Sequence, residues 1–87
     1  MERKIICRLQ PFLLEQEIYV YENGNKIDVA KAKSEDLINT IISFSDKYKV
    51  NSIDFAGPGQ YARGIGNQLQ EARLVKYNQK FSINYVN

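Results

Sequence analysis

Asp46-Lys47-Tyr48-Lys49-Val50-Asn51-Ser52-Ile53-Asp54-Phe55-Ala56-Gly57-Pro58-Gly59 is the stretch whose reading decides the fold. Lys47 and Lys49 suit the C-terminal end of a helix, where cations meet the negative end of the dipole. Asn51 and Ser52 then lead into a short strand, Ile53-Asp54-Phe55-Ala56. Gly57-Pro58-Gly59 is a turn, and Pro58 suits the first position of a second helix. Helix, strand and helix in direct succession mark a framework of β-α-β crossovers.

Working upstream, Ser34 opens the first helix. Its hydroxyl suits an early backbone N–H, and Glu35 and Asp36 add negative charge at the positive end of the dipole. Leu37, Ile38, Ile41, Ile42 and Tyr48 recur at helical spacing, so this helix runs to about residue 48. Before it, residues 17–21 and 26–30 flank Glu22-Asn23-Gly24-Asn25. Asn-Gly between two alternating apolar runs is a strong hairpin signal, because both residues tolerate the positive φ of a type I′ turn. Residues 3–9 alternate as Ile5, Cys7, Leu9 against Ile6 and Arg8, which is a first strand. Pro11 ends it, and Phe12-Leu13-Leu14 make a short apolar connection.

Working downstream, Tyr61 or Ala62, Ile65, Leu69, Ala72 and Val75 form the stripe of a second helix. Gly64 and Gly66 inside it suit a helix pressed closely onto a sheet. Asn78 is a plausible stop. Residues 80–86 form a last strand, with Phe81, Ile83 and Tyr85 alternating against Ser82, Asn84 and Val86. A competing reading ends the helix near Ala72 and pairs 74–77 with 80–86 as a hairpin around Asn78-Gln79. The main reading is an α/β (α+β) domain, β-β-β-α-β-α-β. Right-handed crossovers then give a mixed five-stranded sheet of order 3-2-1-4-5 with two packed helices.

This order resembles the core of the ribonuclease H-like fold, which also hosts Holliday-junction resolvases and actin-like ATPases. The likeness is carried by Leu37 to Leu69. There a helix ending Asp46-Lys47-Tyr48-Lys49-Val50 leads to Ser52-Ile53-Asp54-Phe55, a Gly-Pro-Gly turn and a helix. It covers about a third of the chain with motif character and the rest by element order. The resemblance implies a cluster of carboxylates holding Mg²⁺, one of them in the middle of the first strand. Here that strand is Lys4-Ile5-Ile6-Cys7-Arg8-Leu9, without a carboxylate, and Arg8 stands near the place of the first ligand. Asp54 matches the acidic residue of the fourth strand. Glu35 and Asp36 lie at the wrong end of their helix, and the last acidic helix is missing. The resemblance thus implies the scaffold without the nuclease.

Composition agrees with a single domain spanning residues 1–87. The chain has 12 Lys+Arg, 10 Asp+Glu, 44% hydrophobic residues, one Cys and no His. That balance is an ordinary folded domain's. Without His, histidine acid–base chemistry and ligation are excluded. A lone Cys excludes an internal disulfide and a Cys-rich zinc site. Cys7 reads as a small buried hydrophobe. No apolar run is long enough for a signal peptide or a spanning helix, so a cytoplasmic location and no membrane contact are expected. Residues 55–87 carry four basic side chains (Arg63, Arg73, Lys76, Lys80) and one acidic (Glu71), against eight and nine in residues 1–54.

Three groups of residues are candidates for function. Gly57, Gly59, Gln60 and Arg63 form a Gly-rich strand-to-helix turn at the carboxyl end of a strand, where anions and ligands gather. It is neither a Walker A loop nor a dinucleotide fingerprint, so no cofactor is expected. The competing role is a tight turn beside a closely packed helix. Tyr19 and Tyr21 share one strand face, near Lys26 or Arg8, either as core or as an exposed aromatic platform for single strands or a protein. Arg73, Lys76 and Tyr77, with Lys80, form a basic-aromatic group that becomes a phosphate track only if Arg63 joins it. The hairpin strand 26–30 should be a sheet edge open to a partner.

The expected function is a non-enzymatic binding or accessory protein that meets a protein partner or forms a homo-oligomer. An inhibitor or accessory from a phage or other mobile element would fit. The alternative is a nucleic-acid-binding accessory protein, and a metal-dependent nuclease on Asp54 ranks last, with no metal expected.

Overall fold

The computed structural model describes residues 2–86. The elements are β1 (Arg3–Arg8), β2 (Glu15–Glu22), β3 (Asn25–Lys33), a 3₁₀ turn (Ser34–Asp36), α1 (Leu37–Tyr48), β4 (Ser52–Ala56), α2 (Gly59–Tyr77) and β5 (Ser82–Val86). They form one sheet ordered β3-β2-β1-β4-β5. β1 lies at its centre, antiparallel to β2 and parallel to β4, and β5 extends the parallel half. This is the order expected from the sequence.

Pleating divides the sheet into two unlike faces. Ile5, Cys7, Ile18, Val20, Ile53 and Phe55 share one face and have no accessible surface. Leu37, Ile41, Ile42, Ala62, Ile65 and Leu69 of the helices complete that core. The other face carries Lys4, Ile6, Arg8, Glu17, Tyr19, Tyr21 and Asp54, none of them buried. Both helices lie on the first face. Tyr48 of α1 donates a hydrogen bond to Asp28 of β3, and Tyr85 of β5 packs against Gly66 of α2. Asp28 is registered to Val20, and Tyr85 to Phe55, so both belong to the apolar side.

Local chemistry explains most boundaries. Asn23 (φ 50°) and Gly24 (φ 85°) take the two positive-φ positions of the β2–β3 turn. The hairpin is longer than the sequence pattern suggested, reaching Glu15 and Lys33, because Gln16 and Ala32 continue the buried face. Helix α1 is a correction. Its first turn, 34–36, is 3₁₀, and no side chain caps it, so Ser34 does not act as the expected cap. Instead Thr40 Oγ1 donates to the Asp36 carbonyl within the first turns of α1. The hairpin alternative for 74–77 is excluded, since α2 runs on to Tyr77. Asn78 stops it in the left-handed conformation (φ 55°), its N–H returning to the Leu74 carbonyl.

Two glycines are required by close approach. A Cβ on Gly57 (φ +154°) would stand 2.5 Å from the Leu9 carbonyl oxygen. The chain crosses there because the Leu9 N–H donates to Ala56 O at 2.7 Å, prolonging the β1–β4 pairing. Gly66 lets the Tyr85 ring rest on α2, as the sequence suggested for a helix pressed onto a sheet. Gly64 has open space around it.

Two outcomes follow for stability. Gly57→Ala should cost about 1–3 kcal/mol, because the obstacle is backbone and the conformation is strained for an L-residue. Gly64→Ala should stabilise by roughly 0.5–1 kcal/mol through helix propensity alone. Urea unfolding of the two variants measures both. Cys7 supplies a pH signature. Burial pushes its thiol up from 9.0 to about 12. Between these values the unfolded chain loses the thiol proton while the folded chain keeps it. Stability contributed by the buried neutral thiol is therefore full below pH 9 and falls as pH rises toward 12. Cys7→Ala should lose less stability than the parent between pH 8 and pH 10.5, read by unfolding at each pH. An equal loss in both proteins would show that the thiol contributes nothing.

Candidate functional site

The Gly-rich turn divides into structural and open parts. Gly57 is accounted for by its contact with Leu9, and its N–H donates to Val86 O at 3.3 Å. Gly59 and Gln60 are exposed at the start of α2. Arg63 lies with its guanidinium 4.8 Å from the Tyr85 ring centre, and that ring stacks on Phe55 at 6.1 Å. This candidate for an anion is thus an exposed cation resting over an aromatic stack.

Tyr19 and Tyr21 stand on the face that no helix covers. Each is half-buried, their ring centres lie 6.3 Å apart and the planes are inclined at 54°. Lys26 Nζ sits 5.1 Å from the Tyr19 ring centre. Arg8 is turned to Glu17 at 3.8 Å. Asp54 shares this face and is neutralised by Lys4 at 3.1 Å. Asn84 Nδ2 also donates to Asp54 at 3.3 Å. Among the described residues no three His, Cys, Asp or Glu side chains converge on a common point.

The C-terminal basic group is not a single surface. Arg73 is buried, with only 9% of its surface accessible. Its guanidinium lies 4.0 Å from the Phe81 ring centre and donates to Ser45 Oγ, Asn51 Oδ1 and Gln79 Oε1. Lys76 pairs with Asp46 at 3.8 Å, and the Tyr77 hydroxyl donates to the same carboxylate. Arg63 precedes Arg73 by ten positions on α2, about 15 Å along the axis. The condition for a continuous phosphate track is not met.

Val75, read as part of the α2 stripe, is 89% accessible and stands alone on the helix, whereas a cluster of exposed apolar residues lies in what pattern reading treated as a mere connection. Phe12 is 84% and Leu14 87% accessible, with Leu13 at 46%. They form the tip between β1 and β2, beyond the carboxyl end of the central strand. The side chain of Gln16 holds the base of this tip although it is itself buried. It accepts from the Gln10 N–H and donates to the Gln10 and Leu13 carbonyls at 3.0 and 3.3 Å. Leu13 N–H closes the turn onto Gln10 O at 2.9 Å. The tip and Glu15, Glu17 and Lys31 line one groove of about 510 Å³, which joins it to the uncovered sheet face. The available signal was the run Pro11-Phe12-Leu13-Leu14, three apolar residues where no strand or helix period asks for them.

No helix is long and apolar enough to cross a membrane. No protein-family model and no curated protein matches the chain. Among solved structures it is similar to a Bacteroides thetaiotaomicron protein described as having an actin-like ATPase fold and unknown function. That superposition has a TM-score of 0.66 at 15% identity and covers 98% of this chain. This chain spans about a third (32%) of the length of that protein. At such identity the likeness is one of fold, and it agrees with the ribonuclease H-like and actin-like core read from the element order.

Proposed function

We propose that the protein is a non-enzymatic binding module that recognises a protein partner through the Phe12-Leu13-Leu14 tip and the adjoining uncovered sheet face. The observation that carries this reading is the exposure of Phe12 and Leu14 on a turn fixed by Gln16. Leaving such side chains in water forfeits roughly 1.5–3 kcal/mol each relative to burial. Aromatic side chains are favoured as anchors in interfaces, and Tyr19 and Tyr21 continue the surface away from the tip. Asp54 held by Lys4, and Cys7 with no accessible surface, are poor candidates for chemistry.

The nucleic-acid alternative draws less support. Arg63 lies over Tyr85 and about 15 Å along α2 from Arg73, Lys76 pairs with Asp46, and Arg73 is buried. Among the described residues the unpaired cations form no continuous track, and the net charge is only +2.

Phe12→Ser/Leu14→Ser tests the reading. Both positions are exposed, so stability should change by no more than about 0.5 kcal/mol. Wild type and variant would be immobilised side by side and exposed to proteins of the source organism. A partner retained by wild type and lost by the equally stable variant is the expected result. Equal retention by both would remove the tip from the function. Light scattering distinguishes self-association, which would appear as a dimer in wild type alone. Tight binding of single- or double-stranded DNA at low salt, unaffected by the substitutions, would favour the alternative.

A further inference from the structure

Arg73 presents a problem that the fold does not solve by itself. A guanidinium has five N–H donors and one full charge. Here it is nine-tenths buried, yet every one of its hydrogen-bond partners is a neutral oxygen, at 3.4 Å (Ser45), 3.4 Å (Asn51) and 3.1 Å (Gln79). Its Nε–H is buried with no acceptor. Among the described residues no carboxylate forms an ion pair with it. Removing a charge from water costs several kcal/mol unless an opposite charge compensates. The Phe81 and Tyr77 rings contribute a modest cation–π term. The C-terminal ends of α1 and α2 are near and negative, but their closing carbonyls already accept backbone N–H groups. Lys49 and Val50 donate to Ser45 O, and Asn78 donates to Leu74 O.

The missing charge has a place to sit. Arg73 lines an open cleft of about 600 Å³ between the end of α1, the start of β4 and the loop entering β5. Lys49 and Lys80 line the same cleft, and neither forms an ion pair among the described residues. Among the described residues Asp46 is the one acid on its wall, and it is engaged by Lys76 and the Tyr77 hydroxyl. Three cations against one carboxylate leave a local charge of +2. We propose that this cleft is a binding site for a small phosphate-bearing ligand, whose dianionic group lies between Arg73, Lys49 and Lys80, with Asn51 and Gln79 as neutral donors at its sides. The charge selects a dianionic phosphate over a carboxylate. The site lies at the amino ends of β4 and β5, away from the Phe12–Leu14 tip, and stands independently of that surface.

The test uses the whole chain and inorganic phosphate, titrated at constant ionic strength against chloride and followed by amide NMR. Saturable shifts centred on Asn51, Gln79 and Lys80 are expected, with acetate giving far weaker ones. Lys49→Gln/Lys80→Gln should weaken phosphate binding about tenfold or more, since two charge-assisted contacts are lost. Arg73→Gln should abolish it. Should that variant fail to fold, the double lysine variant decides, because both lysines are exposed. Shifts that track chloride without saturating would overturn the site. Unchanged affinity in the double variant would do the same. Acetate binding as tightly as phosphate would overturn the assignment to phosphate.

Discussion

Both crossovers of this chain run the same way across the sheet. β3 leads through α1 to β4 and β4 through α2 to β5, each step moving toward the β5 edge. Right-handed connections that travel in one direction must lay their helices on one face. Everything else depends on this. One side becomes a dry core between sheet and helices, and the other is left without a covering layer. The residues obey the division strand by strand. Ile5, Cys7, Val20 and Phe55 point to the helices, while Lys4, Ile6, Tyr21 and Asp54 point away.

The uncovered face is chemically adapted to water without being indifferent to a partner. Its charges are largely balanced in pairs, Lys4 with Asp54 and Arg8 with Glu17. Such surface pairs add little stability, but they keep the face from being a uniform field. Between them lie the rings of Tyr19 and Tyr21 and the side chain of Ile6.

Much of the fold was legible because periodicity and turn chemistry agree in this chain. Asn23-Gly24 announced its hairpin, the Leu37–Tyr48 stripe its helix, and Asn78 the end of α2. The start of α1 was misread because Ser34 is a good capping residue in isolation, yet the chain enters the helix through a tighter turn. The site was less legible. Arg63 and Arg73 look alike in sequence, but one is exposed over the half-buried Tyr85 ring and the other is enclosed by Ser45, Asn51 and Gln79 from three separate segments. No local pattern encodes which arginine the tertiary packing will enclose. Phe12–Leu14 reads in sequence as a mere connection, because only the strand pairing shows that no layer is available to receive its side chains.

Gln16 gives that tip a property beyond its exposure. The amide satisfies one N–H and two carbonyls of the turn, from a position with only 1% of its surface accessible. The conformational entropy of the loop is therefore surrendered when the domain folds, and not again at encounter. Whatever meets Phe12 and Leu14 meets a shaped wedge in place of a fluctuating strand of apolar residues. Association would then proceed close to rigid-body docking, with selectivity set by the fit of the partner's pocket.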